Sequence, residues 1–169
     1  MASLLRISGI VKESIVDGPG IRYVVFTQGC LHNCEGCHNP QTHDMEGGKF
    51  IDTDEIIKDM KKNPLLDGIT FSGGEPFLQP DTLGELGQKV KESGMNVITY
   101  SGYTFEQLLE LSKAKTGVTS LLSVTDILID GPFLLAQKDL LLKFRGSKNQ
   151  RPIDVQKSLR DNRLVLLNW

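Results

Sequence analysis

The chain has 169 residues, a formal net charge of −2, and 39% hydrophobic and 24% charged residues, as is ordinary for a soluble globular protein. This length predicts a single domain over residues 1–169, and the near-neutral charge argues against general nucleic-acid binding. No apolar run approaches the ~18 residues needed to cross a membrane, so neither nucleic acid nor a membrane is expected as a partner.

The first predicted elements lead up to a cluster of cysteines. Residues 3–15 alternate weakly between apolar and polar and predict an edge strand. Residues 16–22 are dense in glycine and proline and predict a turn with a structural role, at the start of the next strand and away from the cysteines. That strand, residues 21–28, is apolar and runs directly into the cysteine segment. The cysteines are therefore expected on a loop at the C-terminal end of a strand.

All three cysteines of the chain fall within residues 30–37. Three thiolates at this spacing can surround one metal centre, and in a 4Fe-4S cluster they would leave one iron open to a non-protein ligand. Zinc is the alternative, because His32, His38 or His43 could complete a Cys3His set. An odd number of cysteines without a signal peptide favours a reducing compartment, so a cytoplasmic protein is expected.

Strand, turn and helix alternate after the cysteines. This alternation predicts parallel strands joined by right-handed crossovers, with helices covering the sheet. The expected fold class is therefore α/β, a partial (β/α) barrel with parallel strands, whose sites gather at the C-terminal ends of the strands. The predicted strands are residues 68–72, 96–100, 124–130 and 140–144, and the predicted helices begin at Asp52 or Thr53, at Pro80 and at Thr104.

A second feature of the same rim is the turn Gly73-Gly74-Glu75-Pro76, which follows the strand of residues 68–72. Glycines let a ligand approach the main chain closely, and the Glu75 carboxylate could hold a cationic amino group. Taken alone, the stretch indicates only a turn that ends a strand. Beside the cysteine loop, it predicts a binding site.

The pairing of Cys30, Cys34 and Cys37 with this glycine-rich turn resembles the radical S-adenosylmethionine superfamily. Further stretches are similar to the anaerobic ribonucleoside-triphosphate reductase activating proteins, and the similarity extends over about residues 15–160. The stretches that carry this second resemblance are residues 16–22, Cys37-His38-Asn39 and residues 144–151.

The resemblance implies a 4Fe-4S cluster on the three cysteines, with S-adenosylmethionine bound at the open iron. It implies an enzyme that cleaves S-adenosylmethionine reductively and generates a glycyl radical on anaerobic ribonucleoside-triphosphate reductase. Electrons would come from a donor such as flavodoxin or ferredoxin. The main chain near Gly36, Cys37 and His38 would contact the adenine side, and Gly73 and Gly74 would bind the methionyl amino group.

Two alternatives stay open. Activating enzymes of pyruvate formate-lyase and related glycyl radical enzymes share the cysteine loop and the Cys37-His38-Asn39 sequence. A zinc-stabilised interaction module would use the cysteines and one histidine only to hold a loop. Such a module gives no reason for glycine-rich turns at several successive strand ends.

Near the C-terminus, residues 143–163 contain seven basic residues against two acidic ones. Arg145, Lys148 and Arg151 lie in and just after a turn centred on Gly146, where side chains are expected to reach solvent. We predict that they help to orient the client protein by charge complementarity, and a solvated face is the alternative. The apolar tail, residues 164–169, is expected to form a strand or to pack against the sheet, and an exposed docking strip is the alternative.

Overall fold

The computed structural model describes residues 3–169, which form one seven-stranded sheet and five α-helices. None of these helices has the length and apolar character needed to cross a membrane. The strands are β1 (Leu4–Ser14), β2 (Arg22–Thr27), β3 (Lys49–Asp52), β4 (Gly68–Gly73), β5 (Asn96–Tyr100), β6 (Ile127–Asp130) and β7 (Arg151–Asp154). The helices are α1 (Thr53–Lys61), α2 (Pro80–Glu92), α3 (Phe105–Ser112), α4 (Thr116–Val124) and α5 (Val155–Asp161).

The sheet has parallel strands at its centre and antiparallel strands on both sides. Its strand order is β3-β1-β2-β4-β5-β6-β7, and β2, β4, β5 and β6 run parallel to one another. β1 pairs antiparallel with β2 and β3, and β7 pairs antiparallel with β6. The predicted α/β class with parallel strands is confirmed. Because β3 and β7 form two edges, the sheet is open, as a partial barrel requires.

Short sequence patterns correctly predicted the strands and helix starts nearest the cysteine loop. β2, β4 and β5 lie where apolar runs predicted them. The side chain of Asp52 caps α1 by accepting a hydrogen bond from the N–H of Asp54 (2.9 Å). At the start of α3, Thr104 and Gln107 form both halves of the predicted capping box. These features depend on residues a few positions apart, which a sequence pattern records directly.

Other elements differ from the predicted ones. β1 is not an edge strand, because the short polar strand β3 pairs with its first half. Residues 140–144 form a loop instead of a strand, because β7 occupies the remaining side of β6. Val124 ends α4, so β6 begins only at Ile127. Neither α4 nor α5 was predicted.

The two faces of the sheet have different coverings. Ile69, Phe71 and Val97 belong to the hydrophobic core that the helices cover. Side chains alternate across a strand, so the residues between these point to the opposite face. On that face, Ser72 of β4 and Tyr100 of β5 line a cavity. The helices therefore fill one face and leave the other for a site.

Arg22 of β2 is fully buried on the face that bears the cavity. Its guanidinium donates hydrogen bonds to Thr70 Oγ1 (2.7 Å) and to the carbonyl oxygens of Ile69 (2.8 Å), Pro19 (3.2 Å) and Asn96 (3.4 Å). Burial lowers the pKa of Arg22 to about 10, although nearby acidic groups oppose this shift. These bonds fold the segment between β1 and β2 over the sheet.

Replacing Arg22 by lysine is expected to lower the free energy of unfolding by about 2 kcal/mol. A single ammonium group cannot reproduce the bonds that the guanidinium makes to Thr70 and Ile69. Urea denaturation of the metal-free protein measures the change. Arg160→Lys is the matched control, because the Arg160 side chain is 71% exposed. Equal losses in the two variants would contradict the assigned role of Arg22.

The C-terminal tail pairs with β7, in agreement with the expectation that it packs against the sheet. The N–H of Asp154 donates to the carbonyl oxygen of Val165 (3.0 Å), and the N–H of Leu167 donates to that of Pro152 (2.8 Å). The tail therefore covers the edge of the sheet next to β7.

Candidate metal and cofactor site

A cavity of about 470 Å³ opens on the sheet face that the helices leave free. The turns after β2, β4, β5 and β6 all reach it, as the parallel arrangement predicts. A cavity of this size suits a small-molecule ligand. Besides the three cysteines, the turns contribute Gly73, Gly74, Ser101, Gly102 and Gly131 to its lining.

The cysteine loop, residues 30–37, is held by main-chain hydrogen bonds. The N–H of Cys30 donates to the carbonyl oxygen of His43 (3.3 Å), and the N–H of Cys37 donates to that of Cys34 (3.2 Å). All three thiols are free, partly buried and part of the cavity lining. One short segment therefore presents three sulfur atoms to one cavity.

The chemistry and spacing of these thiols fit an iron–sulfur cluster. Three soft donors suit either iron–sulfur or zinc. In residues 3–169, however, no three His, Cys, Asp or Glu side chains converge where a single metal ion could bind them all. A zinc ion needs its ligands at about 2.0–2.3 Å, whereas a cubane spreads three thiolates over three irons. The sulfur of Cys37 also accepts a hydrogen bond from the N–H of Asn39 (3.4 Å), a type of contact that tunes clusters.

Two of the three histidines proposed as zinc ligands have other contacts. The Nε2 atom of His32 lies 2.5 Å from Oε1 of Glu75. The ring of His38 packs edge-on against Phe133, with 5.1 Å between ring centroids. His43 lines the cavity beside the cysteines. His32 could complete a zinc site through Nε2 only by breaking its contact with Glu75.

Glu75 lies beneath the cavity, and its side chain does not contribute to the lining. It is 1% exposed and accepts hydrogen bonds from the N–H groups of Gly102 (2.8 Å) and Phe77 (3.0 Å). The hydroxyl of Ser101 lies within 3.0 Å of both carboxylate oxygens. With His32, these contacts tie the cysteine loop to the turns after β4 and β5. The expected contact between the Glu75 carboxylate and a ligand amino group is therefore replaced by a positioning role.

Gly73 and Gly74 line the cavity and pack closely against the strand that leads to the cysteines. The N–H of Gly74 donates to the carbonyl oxygen of Thr27 (2.8 Å). A Cβ atom on Gly74 would collide with the carbonyl oxygen of Gly29, which precedes Cys30. A side chain at position 74 would therefore disturb the cysteine loop.

The segments expected on the adenine side are only partly in the cavity. Cys37 and His38 line it, whereas Gly36 lies against Leu135 and Phe133. The prediction that residues 16–22 lie away from the cysteines is wrong for Val16 and Asp17, the two residues of this range that line the cavity.

Ile15, Val16 and Asp17 line the same cavity as the thiols. They reach it because the side chain of Arg22 and the hydroxyl of Thr70 bind this segment from below, and the Thr70 hydroxyl donates to the Asp17 carbonyl oxygen (2.9 Å). The one feature of the sequence that could have indicated this contact was Arg22, an arginine inside an apolar strand.

The three basic residues predicted to dock a client differ in their surroundings. Arg145 lines the cavity, and Lys148 is exposed. Arg151 instead forms an ion pair with the buried carboxylate of Asp130 (2.6 Å) and a second one with Glu106 (2.7 Å). Arg151 therefore joins β7 to β6 and to α3 instead of extending freely into solvent, and its docking role stays a prediction.

Replacing Arg151 by glutamine is expected to lower the free energy of unfolding at pH 7 by about 2 kcal/mol. This is less than the roughly 3–5 kcal/mol lost with a fully buried pair, because Arg151 is 30% exposed. Arg151 lowers the pKa of Glu106. The stability that this ion pair contributes is therefore fully present above the pKa of Glu106 in the unfolded chain, and it is lost as the pH falls through the lower pKa of Glu106 in the folded protein. Urea titrations from pH 7 to about pH 3 should show the gap between the two proteins narrowing below about pH 4.5, as the pH falls through the folded pKa of Glu106, and a constant gap would contradict this.

Comparison with known proteins gives a consistent result. Residues 16–153 match the family model described as "4Fe-4S single cluster domain". The chain is 43% identical over 114 residues to the pyruvate formate-lyase-activating enzyme of Clostridium pasteurianum, a match that covers 64% of this chain and 48% of that enzyme. It is 35% identical over 145 residues to the anaerobic ribonucleoside-triphosphate reductase-activating protein of Vibrio cholerae, a match that covers 80% of this chain and 89% of that protein. The corresponding protein of Escherichia coli K12 is 36% identical, and the match covers 80% of this chain and 90% of that protein. The chain thus spans about half the length of the first relative and about nine tenths of the other two.

Proposed function

Because the chain belongs to the 4Fe-4S single cluster domain family and to that of the anaerobic ribonucleoside-triphosphate reductase-activating proteins, we propose that it generates a glycyl radical on such a reductase. The observation that carries the proposal is the convergence of three thiols and a glycine-rich turn in one cavity. The similarity to the reductase-activating proteins supports it, because it extends over about nine tenths of their length.

Cys30, Cys34 and Cys37 hold the 4Fe-4S cluster in this proposal, and S-adenosylmethionine occupies the adjoining cavity. When bound, the cluster and S-adenosylmethionine would supply one-electron cleavage of the sulfonium to methionine and removal of one hydrogen atom from a glycine of the client, with release of 5′-deoxyadenosine. The electron would come from a carrier of the flavodoxin or ferredoxin class. A cytoplasmic location fits this proposal, because thiols stay reduced in the cytoplasm.

The residues of this chain bind the cofactor and orient it. Gly73 and Gly74 line the cavity next to the thiols, where their main chain can bind the methionyl end. Arg145 lines the cavity and forms no ion pair within residues 3–169. Its guanidinium is therefore a suitable partner for the ligand carboxylate. Cys37 and His38 border the adenine side.

A pyruvate formate-lyase type of client is the second candidate, because the identity to that activating enzyme is 43%. The same match covers only 48% of the enzyme, so the comparison supports the reductase more strongly. A zinc-stabilised module has less support, since no single-ion site is assembled in the described chain.

An anaerobic assay with two candidate clients tests the proposal. The reconstituted protein should contain about four irons per chain. With a reductant, S-adenosylmethionine and the anaerobic reductase, it should release 5′-deoxyadenosine and produce a glycyl radical signal in electron paramagnetic resonance. Radical formation on pyruvate formate-lyase alone would transfer the assignment to the second candidate. Colourless protein with one zinc per chain would overturn both.

A further inference from the structure

The chain exposes large apolar side chains around the mouth of the cavity. Leu141 is 91% exposed and Leu140 is 83% exposed, followed by Ile15 at 73% and Val16 at 71%. These are the four most exposed large apolar side chains in residues 3–169. Ile15 and Val16 line the cavity, and Leu142, next to the other two, does so as well. We call Ile15, Val16, Leu140 and Leu141 the apolar rim.

The loop that carries the two leucines has a defined conformation. Its base is closed by a β-bridge between Lys138 and Ser147. Just beyond this bridge, the carboxylate of Asp139 accepts a hydrogen bond from the N–H of Leu141 (2.9 Å). This loop therefore holds Leu140 and Leu141 toward solvent.

Further along the loop, Phe144 is anchored to the body of the protein. The hydroxyl of Tyr100 donates to the carbonyl oxygen of Phe144, whose ring packs edge-on against Trp169, with 5.1 Å between ring centroids. One end of the loop is thus fastened to β5 and to the C-terminal tail. Apolar side chains presented from an anchored loop are typical of a protein–protein contact.

The same loop supplies positive charge around its apolar tip. Lys138, Lys143 and Lys148 are all exposed. Asp139 is the one acidic residue between them, and its carboxylate caps Leu141. A partner that fits this surface has an apolar patch bordered by acidic residues.

We infer that the apolar rim is where the client glycyl radical enzyme docks, through an apolar, acid-bordered surface next to its radical-bearing glycine. This rests on the proposed function, in which the reacting glycine belongs to a large protein and must reach the cavity. The client must therefore cover the cavity mouth, and the rim lies there. Docking is then mainly apolar, and the charge complementarity expected from the sequence acts at its border and helps to orient the client.

The test is the double variant Leu140→Asp with Leu141→Asp, compared with wild type. Neither side chain lines the cavity, so iron content and cleavage of S-adenosylmethionine without a client should stay at wild-type levels. The client concentration that gives half-maximal glycyl radical formation should rise at least tenfold, which corresponds to a loss of about 1.4 kcal/mol of binding free energy. Repulsion between the new aspartates and the acidic border of the client should weaken in high salt, whereas the part of the defect that comes from the lost apolar contact should persist.

Two controls sharpen this test. Leu65→Asp changes an equally apolar residue, 67% exposed, before the start of β4 and so at the opposite end from the glycine turn. It should leave client activation unchanged. Leu140→Ser with Leu141→Ser removes apolar surface without adding charge, and it should reproduce most of the defect.

The outcomes separate the inference from the proposed function. Activation of the client by both double variants at the wild-type half-saturating concentration would overturn the docking role and leave the function intact. A wild-type dimer that the aspartate variant dissociates, with activation unchanged, would assign the rim to self-association and also overturn it. If the wild type activates no glycyl radical enzyme at all, the function fails and the inference fails with it.

Discussion

Cys34→Ala is expected to abolish cluster assembly and leave most of the fold in place. The loop offers three thiolates, and a cubane that already lacks a fourth protein ligand cannot readily lose another. Cys34 lies outside the hydrophobic core, so secondary structure should survive. After anaerobic reconstitution, iron should fall from about four to well under one per chain, and 5′-deoxyadenosine should no longer be released. Circular dichroism checks the fold.

His43→Ala is the matched control for this prediction. His43 lines the same cavity and is the histidine best placed to complete a Cys3His zinc site. In a cluster site, its removal should leave the iron content near wild type. In a zinc site, it should weaken metal binding as Cys34→Ala does. A Cys34→Ala protein with full iron content and undiminished cleavage would falsify the ligand assignment.

Glu75→Ala is expected to be the most destabilising substitution at the site, although Glu75 does not line the cavity. Removing its carboxylate leaves the buried donors of Ser101, Gly102 and Phe77 without their acceptor and frees His32. Each such donor costs about 1–3 kcal/mol, and a combined loss of about 4 kcal/mol is expected because they share one group. Urea denaturation of the metal-free protein measures it.

The same substitution should also reduce incorporation of iron, because His32 lies inside the cysteine loop and loses its anchor. Glu92→Ala, on the exposed face of α2, is the control and should change neither quantity. A double-mutant cycle between Glu75→Ala and His32→Ala isolates their coupling. If Glu75→Ala took up iron and unfolded as the wild type does, the positioning role would be wrong.

The two sheet faces explain why a short chain can carry this site. The helices that contact the central strands pack onto one face and build the core there. The opposite face is covered by the segment before β2 and by the loops after β6, which leave the cavity between them. Because the cavity is bordered by loops, a protein client can approach it directly, as the apolar rim requires.

Much of the site followed from local sequence. The strand before the cysteines, the spacing of the three thiols, the glycine turn after β4 and the capping box of α3 each depend on residues a few positions apart. Alternating strands and helices then imply parallel strands, whose C-terminal ends must meet on one rim. The cavity lined by Cys30, Gly73, Gly102 and Gly131 is the consequence.

Only the tertiary structure decided what surrounds those thiols. The turn of residues 15–17 reaches the cavity because Arg22 and Thr70, 48 positions apart, bind each other and this segment. Glu75 turns away from the ligand space because its partners come from the cysteine loop and the turn after β5. Arg151 is held by Asp130 on the neighbouring strand instead of extending freely into solvent. Such contacts join residues far apart in the chain, so no local period or spacing records them.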